Sequence, residues 1–221
     1  MISQNIPQLA YRDINQRLAI AFPGVPGFGN CGPGNNTWHC QVIDNTVMAD
    51  GMISIVREAF TAVTYYDATS QSLKYAQYLG SPTGNCGSGS STNYWRCITI
   101  ESVGSASSGY LSGGDLGIFN GQPLLVYYDN DDAAHGILKA AYPFTGGNCG
   151  PMVSGEYTWM CEVVDDGNGV NDVGLNPSVK ISSDGFAQIA YYDKTAGDLK
   201  FARQLPLPLP DHTIYLPVIV R

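Results

Sequence analysis

The sequence predicts an all-β chain, a β-propeller of about four four-stranded blades. Two alternating phrases and the composition between them carry that expectation. One phrase is Gly-Asn-Cys-Gly, a polar loop and then Trp-x-Cys, found at residues 29–32 with 38–40, 84–87 with 95–97 and 147–150 with 159–161. The other is Tyr-Tyr-Asp, which leads at its clearest copy into Leu-Lys-Tyr-Ala at residues 73–76; it occurs at Tyr65-Tyr66-Asp67, Tyr127-Tyr128-Asp129 and Tyr191-Tyr192-Asp193, with a weaker copy at Tyr11-Arg12-Asp13. Counted from Asp13 to Asp67, Asp129 and Asp193, its aspartate recurs after 54, 62 and 64 residues. A period of that size with four strand-like runs per unit fits a radial array of sheets better than a sandwich. Only 14% of the 221 residues are charged, whereas Gly (26), Tyr (14) and Pro (13) are plentiful, which suits short strands and tight turns.

Met1-Ile2-Ser3 echoes Met52-Ile53-Ser54, so the chain is expected to start at the head of a repeat. Residues 8–11 and 18–22 read as strands joined by a turn, and a Gly/Pro-rich stretch leads to the first Trp-x-Cys strand at 37–43. The second repeat gives strands at 53–56, 62–66, 73–78 and 94–100, and the third at 116–119, 124–128, 137–142 and 157–163. The fourth gives 178–181, 188–192 and 199–203 before Leu205-Pro206-Leu207-Pro208-Leu209-Pro210, an extended spacer, and a last strand within 213–220. The expected organisation is a propeller over 1–204, with repeats near 1–50, 51–113, 114–174 and 175–204, and a spacer with a C-terminal strand over 205–221. A fragment of a larger ring is the alternative.

All six cysteines lie inside the first phrase, and the repeat symmetry pairs Cys31 with Cys40, Cys86 with Cys97 and Cys149 with Cys161. No Cys-x-x-Cys occurs, and His39, His135 and His212 are scattered, so no metal site and no cofactor are expected. Disulfides imply an oxidising compartment, hence an extracellular or cell-surface location. No run is apolar enough to span a membrane as a helix. A net charge of −8 with eleven dispersed Lys and Arg argues against nucleic acid as a partner.

The phrases resemble the repeats of secreted bacterial β-propeller proteins, with Asp193-Lys194-Thr195-Ala196-Gly197-Asp198-Leu199-Lys200 as the best match. That resemblance implies an architecture and no fixed activity. The Tyr-Leu-Pro-apolar-Arg ending of the chain is similar to C-terminal tails of secreted proteins from filamentous green bacteria, which implies a role at the cell surface.

Most motifs have a structural reading beside a functional one. The aspartate of Tyr-Tyr-Asp can cap the following turn, and one tyrosine of each pair can pack between blades. The functional rival makes Tyr66, Asp67, Tyr128, Asp129, Tyr192 and Asp193 ligand-binding residues for sugars. Each Trp lies two residues before a cysteine, on the same strand face, and is expected to pack over the disulfide. The acidic runs 129–132 and 165–169 could hold calcium but read as exposed turns, and Asn35-Asn36-Thr37 has the form of a glycosylation sequon. Ser183-Asp184-Gly185 faintly resembles a sialidase turn, without the Trp or the arginine cluster that such an enzyme needs.

The expected function is therefore a non-enzymatic extracellular structural protein, with no catalytic residues, that self-assembles into a homo-oligomer or polymer. Its assembly strand would be Ile214, Tyr215, Leu216, Val218, Ile219 and Val220, given to a neighbouring copy or folded back onto its own blade. Binding of glycans by a lectin-like propeller is the alternative, and a sialidase-like glycoside hydrolase the third.

Overall fold

Alternation decides where each strand goes. In Thr61–Asp67, Val63 and Tyr65 point to one side of the sheet and Ala62 and Tyr66 to the other, and all four are buried, so the strand is covered on both faces. A computed structural model of the chain describes residues 6–24, 27, 29–32, 37–46, 48–58, 60–87, 93–103, 114–130, 135–204 and 218–219.

Those residues form fifteen strands in four antiparallel sheets. Sheet 1 contains β1 (Leu9–Arg12), β2 (Leu18–Pro23) and β3 (Trp38–Asp44). Sheet 2 contains β4 (Met48–Arg57), β5 (Thr61–Asp67), β6 (Ser72–Tyr78) and β7 (Trp95–Ser102). Sheet 3 contains β8 (Gly114–Phe119), β9 (Gln122–Asp129), β10 (Ile137–Val153) and β11 (Glu156–Asp165). Sheet 4 contains β12 (Val173–Ile181), β13 (Ala187–Asp193), β14 (Asp198–Arg203) and β15 (Val218–Ile219). No α-helix occurs among the described residues; a single 3-10 turn spans Gly167–Gly169.

The repeat holds at the level of register. Tyr11 faces Ala19, Tyr65 faces Lys74, Tyr127 faces Lys139 and Tyr191 faces Lys200 across the same pair of strands in each sheet. Sheet 1 departs from the expected four strands: β1 is the counterpart of β5, not of β4, and the Met1-Ile2-Ser3 echo lies outside the described residues. Of the two outcomes expected for the C-terminal strand, the structure has the intramolecular one, with Ile219 paired to Ala202 and Val218 to Arg203 of the same chain. Residues 214–216 and 220, also expected in that strand, lie outside the described residues, as do Asn35 and Asn36 of the sequon.

Three apolar cores join the sheets in sequence order. Leu18, Ile20 and Ile43 of sheet 1 meet Val63, Tyr65 and Ala76 of sheet 2. Ala62, Tyr66, Leu73 and Tyr75 on the forward side of sheet 2 meet Leu125, Tyr127 and Ala141 of sheet 3. Leu138, Ala140 and Val126 of sheet 3 meet Ile189, Tyr191 and Ala202 of sheet 4. Among the described residues, none of these cores joins sheet 4 to sheet 1.

The disulfides are Cys31–Cys40, Cys86–Cys97 and Cys149–Cys161, the pairing that the repeat symmetry selects. Three disulfides are those of a chain in an oxidising environment. No helix among the described residues is long and apolar enough to cross a membrane.

The third copy of the cysteine phrase is extended where a loop was expected. β10 runs through Gly147-Asn148-Cys149-Gly150 and turns back at Ser154 and Gly155, both at positive φ (53° and 88°), the pattern of a two-residue hairpin turn. Met152, Val153, Tyr157 and Thr158 supply the bulky and β-branched side chains that favour strand. In the first two copies, among the described residues, single bridges from Cys31 to Trp38 and from Cys86 to Trp95 stand in its place.

Candidate functional site

The Gly, Asn and Cys residues of the cysteine phrase are consumed by the scaffold. Asn85 accepts the Cys97 amide at 2.8 Å and donates to the Cys97 carbonyl at 2.9 Å, acting as a peptide group set sideways. Asn30 does the same with Cys40, and Asn148 with Cys161. A Cβ on Gly84 or Gly147 would sit 1.9 Å from the carbonyl oxygen of Trp95 or Trp159, which explains the glycine before Asn85 and before Asn148. Trp95 and Trp159 are buried with the cysteines of their own sheets.

The Tyr-Tyr-Asp phrase builds a polar cluster at each junction. Tyr65 donates to Asp44 at the end of the preceding sheet, and Lys74 Nζ lies 2.7 Å from Asp44 and 3.4 Å from Asp67. At the next junction Tyr127 donates to Glu101, and Lys139 lies 2.6 Å from Glu101 and 3.1 Å from Asp129. At the third Tyr191 donates to Asp165 at 2.7 Å, and Lys200 lies 3.2 Å from Asp165 and 2.9 Å from Asp193. In sheet 1 the lysine position is Ala19, and Asp13 pairs with Arg17 at 2.7 Å.

These groups hold one another in fixed charge states. Burial alone would raise the Asp44 carboxyl, but hydrogen bonds from Lys74 and Tyr65 outweigh it and keep its pKa below the usual value. Burial, reinforced by the neighbouring carboxylate, pushes the phenols of Tyr65, Tyr127 and Tyr191 far up. Burial would lower Lys139 and Lys200, yet their carboxylate partners prevail and raise both.

The sugar site expected on Tyr66, Asp67, Tyr128, Asp129, Tyr192 and Asp193 is thus placed inside the junctions. All but Tyr192 are buried. Asp67 and Asp193 also cap their turns through Thr69 and Ala196, and Tyr128 donates to Asp172. In the acidic run at 165–169, Asp165 is held by Tyr191 and Lys200, while Asp166 accepts the Asn168 amide. Residues 131 and 132 of the other run lie outside the described residues.

A different place is open. At the opposite end of β5 from Asp67, about 20 Å away by strand rise, a pocket of about 240 Å³ lies between sheets 2 and 3. Tyr75 and Trp159 form its aromatic wall, with ring centroids 5.3 Å apart, and Phe60, Ile98 and three prolines complete the apolar lining. Gln77, Gln122, Thr158 and Arg96 supply its polar groups. Arg96 is exposed, has no ion pair among the described residues, and is the one charged residue in a lining without a carboxylate. Burial raises the Tyr75 phenol, whose hydroxyl has no hydrogen-bond partner among the described residues.

Nothing in the sequence reading singled out this pocket. The available signal was a comparison of repeat positions. This position varies from sheet to sheet: Gln77 pairs with Arg96 where Phe22 pairs with His39 in sheet 1, Tyr142 with Met160 in sheet 3 and Arg203 with Val218 in sheet 4.

No protein-family model and no curated protein matches the chain. Among solved structures, it is similar to an α-L-arabinofuranosidase from Clostridium thermocellum, at 14% identity and a TM-score of 0.34 over 97% of this chain and 94% of that one. This neighbour is an enzyme, so it runs against the expectation of a non-enzymatic chain. A likeness that distant assigns no role to any residue here.

Proposed function

We propose that this chain is an extracellular propeller-type protein that binds carbohydrate in the pocket between sheets 2 and 3. The observation that carries the reading is the Gln77–Arg96 pair. It sets a side-chain amide and a guanidinium beside the aromatic surface that Tyr75 and Trp159 offer at the junction of sheets 2 and 3. Aromatic faces suit the apolar face of a pyranose or furanose ring, and side-chain amides suit its hydroxyls. Arg96 favours a saccharide bearing a carboxylate, which a guanidinium can grip with two parallel hydrogen bonds. A ligand oxygen that reached the Tyr75 hydroxyl would supply its missing partner, a deficit worth about 1 to 3 kcal/mol for a buried group.

Affinity electrophoresis or calorimetry against a panel of neutral and uronic-acid polysaccharides tests this. Binding of an acidic member is expected, with a roughly tenfold or greater loss for Arg96→Ala, as fits a charge-assisted hydrogen bond. Arg96 is exposed and has no ion pair among the described residues, so that variant should fold normally. Equal binding by wild type and Arg96→Ala, or binding of no member, would refute the reading. Assembly of copies, the first expectation from the sequence, is favoured by a separate observation, the exposed apolar face of sheet 4.

A further inference from the structure

Register equivalence shows which faces are covered and which are not. On the forward side of sheet 2, Leu73, Tyr66 and Tyr75 are 0%, 1% and 3% exposed, because sheet 3 lies on them. On sheet 3, Leu138 and Tyr128, in the places of Leu73 and Tyr66, are 0% and 3% exposed. On sheet 4 the same three positions are Leu199, Tyr192 and Phe201, and they are 79%, 40% and 38% exposed. The rear side of sheet 1 shows a matching deficit along β1. Val63, Leu125 and Ile189 are at most 1% exposed, buried against the preceding sheet, whereas their counterpart Leu9 is 53% exposed; the small Ala19 and Ala21 of β2, on the same side, are buried.

We propose that the forward face of sheet 4, carried by Leu199, Tyr192 and Phe201, docks on the rear face of sheet 1, marked by Leu9, of a second copy of this chain. This rests on the assembly reading and names its surfaces. The occupant is identified by the chain itself: three internal junctions show that a forward face of this shape is covered by the rear face of the next repeat. The rear face of sheet 1 is the one left without a preceding sheet among the described residues. It also carries Ala19 where the later sheets carry lysine, so docking there leaves no lysine in want of a carboxylate. The two open faces differ and lie on opposite ends of the row of sheets. The contact is therefore head-to-tail and grows into a closed ring or an open filament. Burial of these side chains removes apolar surface from water, which drives the association.

Analytical ultracentrifugation of the full chain over a wide concentration range, with wild type and Leu199→Lys, tests the proposal. Wild type should form species larger than a dimer at high concentration. Leu199→Lys should stay monomeric with an unchanged melting temperature, since Leu199 is exposed in the single chain. Excess Leu199→Lys mixed with wild type should shorten the assemblies, because the variant still offers its sheet 1 but cannot accept the next copy. A wild type that is monomeric throughout would overturn the assembly reading itself. Wild-type oligomers that persist in Leu199→Lys would overturn only the assignment of the surface.

Discussion

Tyr191 donates a 2.7 Å hydrogen bond to Asp165 across the junction between sheets 3 and 4, and both residues are buried. The same relationship joins Tyr65 to Asp44 and Tyr127 to Glu101, so each sheet is latched to its predecessor by a phenol and a lysine on one carboxylate. Apolar burial brings the sheets together, and this latch fixes their register.

Removing one partner of the latch should cost unequal amounts. Tyr191→Phe deletes one hydrogen bond from a buried carboxylate that keeps its lysine, and is expected to lower stability by about 1 to 2 kcal/mol. Lys200→Met leaves Asp165 and Asp193 without their cation and should cost more, about 3 kcal/mol. Chemical denaturation of both variants checks the order; a smaller loss for Lys200→Met would contradict the latch.

Stability should be flat between about pH 5 and pH 9 and fall on both sides. Asp44, Asp172 and Asp193 have folded pKa values below the ordinary 3.8, so their contribution is present above that value and is lost as pH falls through the folded values. Lys139 and Lys200 are raised above 10.5 and Tyr191 above 10.0, so theirs is present below those values and is lost as pH rises through the folded ones. A melting-temperature profile from pH 3 to 11 would show it; a profile still rising above pH 10 would have the wrong sign.

The asparagine of Gly-Asn-Cys-Gly should matter apart from the disulfide beside it. Asn85→Ala removes both of its bonds to the Cys97 backbone and, since Asn85 is exposed, is expected to cost about 1 kcal/mol without altering the disulfide pattern. Replacing Cys86 and Cys97 together by alanine should cost roughly 2 to 3 kcal/mol through the wider unfolded ensemble. Thermal melts with non-reducing peptide mapping separate the two effects.

The sequence made the strands, the disulfides and the turn-capping role of Asp67 and Asp193 legible, because each follows from local spacing: alternation, repeat symmetry and an aspartate ahead of a tight turn. What stayed hidden depends on contacts between sheets. Lys74 and Tyr65 converge on Asp44, a carboxylate that recurs as Glu101 and Asp165 four residues after the second cysteine of each phrase but lies in the preceding sheet, so the recurrence was legible and its partners were not. The pocket was hidden for the same reason, since Tyr75 and Trp159 lie in successive repeats and meet only through packing. Most motif residues are scaffold, but Tyr75 and Trp159 belong to the recurring phrases and also wall the pocket, beside Gln77 and Arg96 at a position that varies from sheet to sheet. Recurrence in a repeated fold reports what every unit needs to pack, whereas a ligand site made once has no reason to recur.

Gly147 gives the sharpest test of the hairpin in sheet 3. A methyl group there would lie 1.9 Å from the Trp159 carbonyl oxygen, which belongs to backbone and cannot swing aside. Gly155, at the turn of the same hairpin, has open space around its Cβ position and is constrained only by its positive φ of 88°. Gly155→Ala therefore meets a conformational penalty of about 1 kcal/mol. Gly147→Ala must instead push β10 and β11 apart next to Cys149–Cys161 and Trp159, and overpacking of that kind costs about 3 kcal/mol. The expected order is a clear drop in melting temperature for Gly147→Ala and a smaller one for Gly155→Ala. Because Trp159 walls the pocket, Gly147→Ala should also weaken saccharide binding, while Gly155→Ala leaves it unchanged. Equal melting temperatures for the two variants would show that the close approach of Gly147 to Trp159 is not what holds the hairpin.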